Sequence, residues 1–102
     1  MTRKDIVEKI KKAARPQGLD YTLWLYGSEA RGEARPDSDI DLLVLVSRDT
    51  VSLHDQMAIN APLYDIELET GVQINTHIET QKSWETRHSL FTYHVNRDKV
   101  EL

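Results

Sequence analysis

The segment "DIDLLVLV", residues 39–46, restricts the possible folds more than any other part of the chain. Side chains on a strand alternate between faces, so Asp39, Asp41, Leu43 and Leu45 share one side. Ile40, Leu42, Val44 and Val46 share the other. From Leu42 onward both sides are apolar, the pattern of a strand in the middle of a sheet covered on both faces. Asp39 and Asp41 then stand side by side at the mouth of that strand. Two like charges so close repel each other unless a cation lies between them.

The surrounding sequence supplies the covering layers. Thr2-Arg3-Lys4-Asp5 forms a capping-box variant ahead of Ile6, Ile10 and Ala13, which predicts a helix. It should end near Arg15, because Pro16 and Gly18 follow. "YTLWLY", 21–26, predicts a strand, and a short helical turn should start at Ser28. Arg35-Pro36-Asp37-Ser38 has turn chemistry. From Ser52 to Thr70 the pattern is helical, with Leu53, Met57, Leu63 or Tyr64, and Ile66 or Leu68 as the recurring apolar positions. Pro62 predicts a kink or restart within it, and Gly71 a C-terminal cap. "VQINTHIE", 72–79, alternates as a third strand, and the remainder suggests one or two short helices and a final extended piece. The order predicts an α/β (α+β) fold: one domain over residues 1–102, with helices packed on a central mixed sheet of three to four strands.

Bulk properties narrow the function. The net charge of −4 argues against a general nucleic-acid binder, whose affinity comes from clustered Lys and Arg. No apolar run reaches the roughly 20 residues of a membrane span. "MTRKDIVEKIKKAARPQG" lacks the apolar core of a secretory signal, and the chain has no cysteine, which together suit a cytoplasmic protein. His54, His77, His88 and His94 show no paired metal-ligand spacing. Trp24 and Trp84 suit core or interface positions.

The mouth of the buried strand is where chemistry can occur. Paired carboxylates suit a hard cation, and Mg²⁺ is typically held by one or two carboxylates together with substrate phosphates. Gly27 and Ser28, after the first strand, suit a phosphate: glycine permits close backbone approach, helix-start N–H groups attract anions, and the hydroxyl adds a donor. If the first two strands are antiparallel neighbours, these halves meet at one edge of the sheet and hold a metal–triphosphate complex between them.

The stretch "GSEARGEARPDSDIDLLV" resembles the Gly-Ser, ten-residue spacer, Asp-x-Asp signature of the DNA polymerase β-like nucleotidyltransferases. It is most similar to the minimal nucleotidyltransferases, often paired with a HEPN-domain protein in toxin–antitoxin systems. "LYDIELETGVQIN…W…F…VNRDKVEL" extends the resemblance over nearly the whole chain. The resemblance implies a polymerase β palm-like fold. It implies Asp39 and Asp41 as the catalytic, Mg²⁺- or Mn²⁺-binding pair, and Gly27 and Ser28 as the triphosphate loop. Arg31 and Arg35, flanking that loop, are candidate phosphate contacts. The implied reaction moves a nucleoside monophosphate, as AMP from ATP, to a hydroxyl of a HEPN-like partner.

One part of that pattern is missing. Active relatives carry a third carboxylate on the next strand, whereas here Gln73, Asn75, His77 and Glu79 share the relevant face. If the connection through the long helix is a crossover, strands two and three are parallel, and Gln73 or Asn75 is level with the aspartates. Glu79 lies roughly 20 Å beyond Gln73, at about 3.3 Å per residue. Glu67 and Glu69 reach across only with a favourable loop. An amide orients a water or phosphate but is no general base. Three readings follow: a slow or specialised protein adenylyltransferase, a binding module that neutralises or scaffolds a partner by contact, and transfer to a small molecule such as an aminoglycoside. The last is the least favoured, because no acceptor-binding domain is visible.

Overall fold

In the computed structural model, which describes residues 1–102, nine elements follow one another. They are α1 (Arg3–Lys12), β1 (Tyr21–Tyr26), α2 (Gly27–Ala30), β2 (Ile40–Val46), α3 (Leu53–Thr70), β3 (Ile74–Thr80), α4 (Gln81–Thr86), α5 (Leu90–Asp98) and β4 (Val100–Glu101). The strands form one mixed sheet in the order β3-β2-β1-β4. β1 runs antiparallel to β2 and to β4, while β2 and β3 are parallel, joined by α3 as the crossover.

Both faces of β2 are covered, as its composition requires. Ile40, Leu42, Val44 and Val46 join Leu23 and Leu25 of β1 in a core closed by Ile6 and Ile10 of α1 and by Ile59, Leu63 and Ile66 of α3. On the opposite side Leu43 and Leu45 pack against Trp84 of α4 and Val95 of α5, with Trp24 and Tyr26 at the margin. The aspartates share this second face, at the end of β2 away from Leu45.

The helix starts match their local chemistry. At α1 the Thr2 backbone N–H donates to Asp5 Oδ2 (3.0 Å), and the Asp5 N–H donates to Thr2 Oγ1 (3.1 Å). Ser52 and Asp55 repeat the arrangement at α3. In both boxes the hydrogen bonds, that from the backbone N–H first, hold the aspartate below its ordinary value. At the far end of α3, Gly71 takes the left-handed conformation (φ 73°) and its N–H donates to the Glu67 carbonyl (2.8 Å).

Four expectations need correction. α1 stops at Lys12, because Ala13 is already extended (ψ 143°). β2 and β3 begin one and two residues later than their sequence patterns suggest. α3 neither breaks nor restarts at Pro62 but runs unbroken from Leu53 to Thr70. Packing of Ile59, Leu63 and Ile66 on the sheet offsets the one backbone hydrogen bond that proline removes. Of the apolar positions expected on α3, Leu63 and Ile66 do join Ile59 in the inner stripe, but Leu53 and Met57, with the alternatives Tyr64 and Leu68, point outward and are exposed.

Candidate active site

The site is assembled from three strand ends. β1 finishes at Tyr26, which lies directly opposite Asp41 of β2. The chain then turns through Gly27, whose φ of +72° is a left-handed value that side-chain-bearing residues rarely adopt. A Cβ built on Gly27 would lie 2.6 Å from Asp41 Oδ2. Glycine is therefore required twice here, by the backbone and by the neighbouring carboxylate. Ser28 follows inside the first turn of α2, where backbone N–H groups lack intrahelical partners. The N-cap position belongs to Tyr26, so the Ser28 hydroxyl is not occupied in capping.

Asp39 sits exposed at the loop end and Asp41 is half-buried at the start of β2. The parallel register places Asn75 of β3 beside Asp41. Asn75 Nδ2 donates to Asp39 Oδ2 and to Asp41 Oδ1, at 3.2 Å in each case. Gln73 Nε2 in turn donates to Asn75 Oδ1 (2.8 Å), and the Gln73 carbonyl accepts the Ile40 N–H (2.9 Å). Of the two amides singled out from the sequence, Asn75 touches the carboxylates and Gln73 holds Asn75.

The other acids are engaged elsewhere. Glu67 Oε1 accepts the Ile74 N–H (2.6 Å) and fixes the start of β3. Glu69 pairs with Lys9 (2.9 Å). Glu79 is buried four positions beyond Asn75, where it accepts from Ser83 Oγ (2.9 Å) and Arg87 Nε (3.2 Å) and meets His77 Nε2 (2.8 Å). Burial alone would raise its carboxyl, but the bonds to His77 and Ser83 and the charge of Arg87 outweigh that and hold it below the ordinary value.

The two arginines differ. Arg31 is engaged by Glu33 (3.1 Å) and Asp98 (3.4 Å). Arg35 is exposed in the turn after α2, and its backbone N–H donates to Ser38 Oγ (2.9 Å).

The donor set suits a hard divalent cation: two carboxylates converge on one point, with an amide beside them. Nowhere do three His, Cys, Asp or Glu side chains gather to hold a metal, so the acidic donors here stop at two. Next to them, burial first and the Asp41 charge second push the Tyr26 hydroxyl upward. Its ring meets Phe91 edge-on at 5.8 Å. Sequence reading passed over both residues. Alternation along β1 places Tyr26 on the aspartates' side, whereas nothing local marks Phe91, which arrives from α5.

A family model for the nucleotidyltransferase domain matches residues 7–99. Two solved structures superimpose over 98% of this chain. One, "Crystal structure of the toxin-antitoxin with AMP-PNP", has a TM-score of 0.60 at 16% identity over 72% of its own length. The other, a candidate minimal nucleotidyltransferase, has a TM-score of 0.52 at 26% identity over 88% of its length. No curated protein matches the chain significantly. With a family match over most of its length and the fold of these neighbours, the chain belongs to the nucleotidyltransferase domain family.

Proposed function

We propose that the chain is a metal-dependent nucleotidyltransferase that moves AMP from ATP to a hydroxyl of a partner protein, acting as antitoxin to a HEPN-type toxin. The observation that carries this reading is the contact between Gly27 and Asp41, which puts the phosphate half and the metal half of the site side by side. A structural neighbour solved as a toxin–antitoxin with AMP-PNP supports the choice of nucleotide and setting.

Asp39 and Asp41 would hold Mg²⁺ or Mn²⁺, which when bound neutralises charge on the triphosphate and the transferring phosphoryl group. Gly27 and Ser28 receive the phosphates through backbone N–H groups and the serine hydroxyl. Arg35, exposed beside the loop, is the better placed arginine for a further phosphate contact, since Arg31 is already paired. Asn75 orients the two carboxylates but cannot accept the acceptor's proton at neutral pH. The hydroxyl oxygen bonds to the α-phosphorus as the α–β phosphoanhydride bond breaks and pyrophosphate leaves, and the hydroxyl proton goes to a group other than this amide.

The bridging amide also favours a second reading, a binding module of the same fold that restrains its partner by contact with little or no transfer. Incubation with α-labelled ATP, Mn²⁺ and the co-purifying protein separates the two, with the Asp39→Asn/Asp41→Asn double variant alongside. Label on the partner that vanishes in the variant supports transfer. Unlabelled partner, inhibited equally by both proteins, contradicts it.

A further inference from the structure

α3 is apolar on two sides. Its inner stripe is buried against the sheet, yet Leu53, Met57, Tyr64 and Leu68 are 72%, 63%, 59% and 68% exposed. Helical geometry puts all four within a narrow strip about 22 Å long, at about 1.5 Å per residue. A surface helix normally buries one apolar stripe and turns polar residues outward, so a second, exposed apolar stripe calls for a cover. The strip exposes roughly 500 Å², near the upper end of the largest patch on a typical monomer, about 300–600 Å². From the uncovered face, its spacing and its flanking charge, we infer that it is covered by a second copy of this chain, α3 against α3 in antiparallel orientation about a two-fold axis.

The spacing is self-complementary, which a two-fold interface demands. With the axis between Asn60 and Ala61, Leu53 of one copy meets Leu68 of the other, and Met57 meets Tyr64. The residues at the crossing are small, so the helix axes can approach to about 8–10 Å. Charge agrees with the same orientation. The C-terminal half of α3 carries Asp65, Glu67 and Glu69 with no basic residue in its last turn, an unfavourable arrangement for the helix dipole. The antiparallel neighbour brings the positive end of its own dipole toward Asp65, the one of these acids that no residue of its own chain engages. Two strips face to face withdraw about 1,000 Å², the lower bound for a specific interface, so the association is reversible. Tyr64 also lines the groove shared by Glu67 and Asn75, which places the two-fold contact beside the candidate active site.

Sedimentation equilibrium of the full chain tests the pairing. Wild type forms a dimer. Leu53→Asp and Leu68→Arg each weaken it at least about tenfold, like truncation of a central interface residue. Both changes suit the helix end on which they fall, so far-UV circular dichroism should show intact folds. The double variant Leu53→Asp/Leu68→Arg regains the dimer, because the two-fold sets each new carboxylate opposite a new guanidinium. A wild type that stays monomeric at high micromolar concentration overturns the inference and leaves the strip to a different protein. A dimer indifferent to the single changes overturns it too, as does failure of the double variant to recover.

Discussion

Asn75 donates one amide nitrogen to Asp39 and Asp41 together, 3.2 Å from an oxygen of each. The group between the two carboxylates is thus a neutral donor on β3, held in turn by Gln73. Asn75→Asp would replace this donor with a third like charge. Without metal the variant should lose stability, by about 1–3 kcal/mol for an unpaired polar or charged contact of this kind. With Mn²⁺ it should regain that loss and bind the ion more tightly than wild type. Thermal melts in chelator and in Mn²⁺, with calorimetric titration of the ion, check both halves.

Gly27 and Gly32 share a backbone conformation, with φ values of +72° and +71°, but not surroundings. A Cβ at Gly27 strikes Asp41, whereas one at Gly32 meets nothing within 4 Å. Alanine at either position should cost about 1–2 kcal/mol for the left-handed backbone. Only Gly27→Ala should also displace Asp41 and abolish Mn²⁺ binding. Denaturant melts and metal titrations of the pair isolate the contact from the backbone cost.

Glu79 should make folding acid-sensitive. Its folded carboxyl lies below the ordinary value of 4.5, so above 4.5 its bonds to His77, Ser83 and Arg87 contribute in full. As pH falls below 4.5 the unfolded chain takes up the proton first, and that contribution is lost on the way to the folded value. Asp5, Asp55 and Asp98 act with the same sign, so Glu79→Gln should flatten the acid limb of stability without removing it. Denaturant midpoints between about pH 6 and pH 3 measure the slope.

The capping box at Ser52 fixes where the crossover helix begins. Ser52→Ala should cost about 1 kcal/mol, read from a denaturant melt, with nucleotide binding unchanged.

Much of this was legible in the sequence because local chemistry and tertiary packing agree. Alternation alone set the faces of β2, and the capping pair Thr2–Asp5 sits where its spacing predicted. The level of Asn75 with the aspartates followed from one further assumption, a parallel crossover. On α3 the sequence left Leu63 or Tyr64 and Ile66 or Leu68 open; Leu63 and Ile66 face the sheet, whereas Leu53 and Met57 lie with Tyr64 and Leu68 on a second, outward stripe. Periodicity cannot say which of two apolar stripes meets the sheet. Phe91 beside Tyr26 and the buried Glu79 cluster were equally beyond reach, because their partners come from α4 and α5, whose positions depend on long-range packing.

Asp39 and Asp41 should join Gly27 and Ser28 in one metal–nucleotide site. Calorimetric titration with a non-hydrolysable ATP analogue, with Mn²⁺ and with chelator, tests it most directly in wild type and in Asp39→Asn/Asp41→Asn. Binding should need the metal and fall at least about tenfold in the variant, a loss of about 1.4 kcal/mol or more. Equal affinity in the two proteins, or binding indifferent to Mn²⁺, would contradict it.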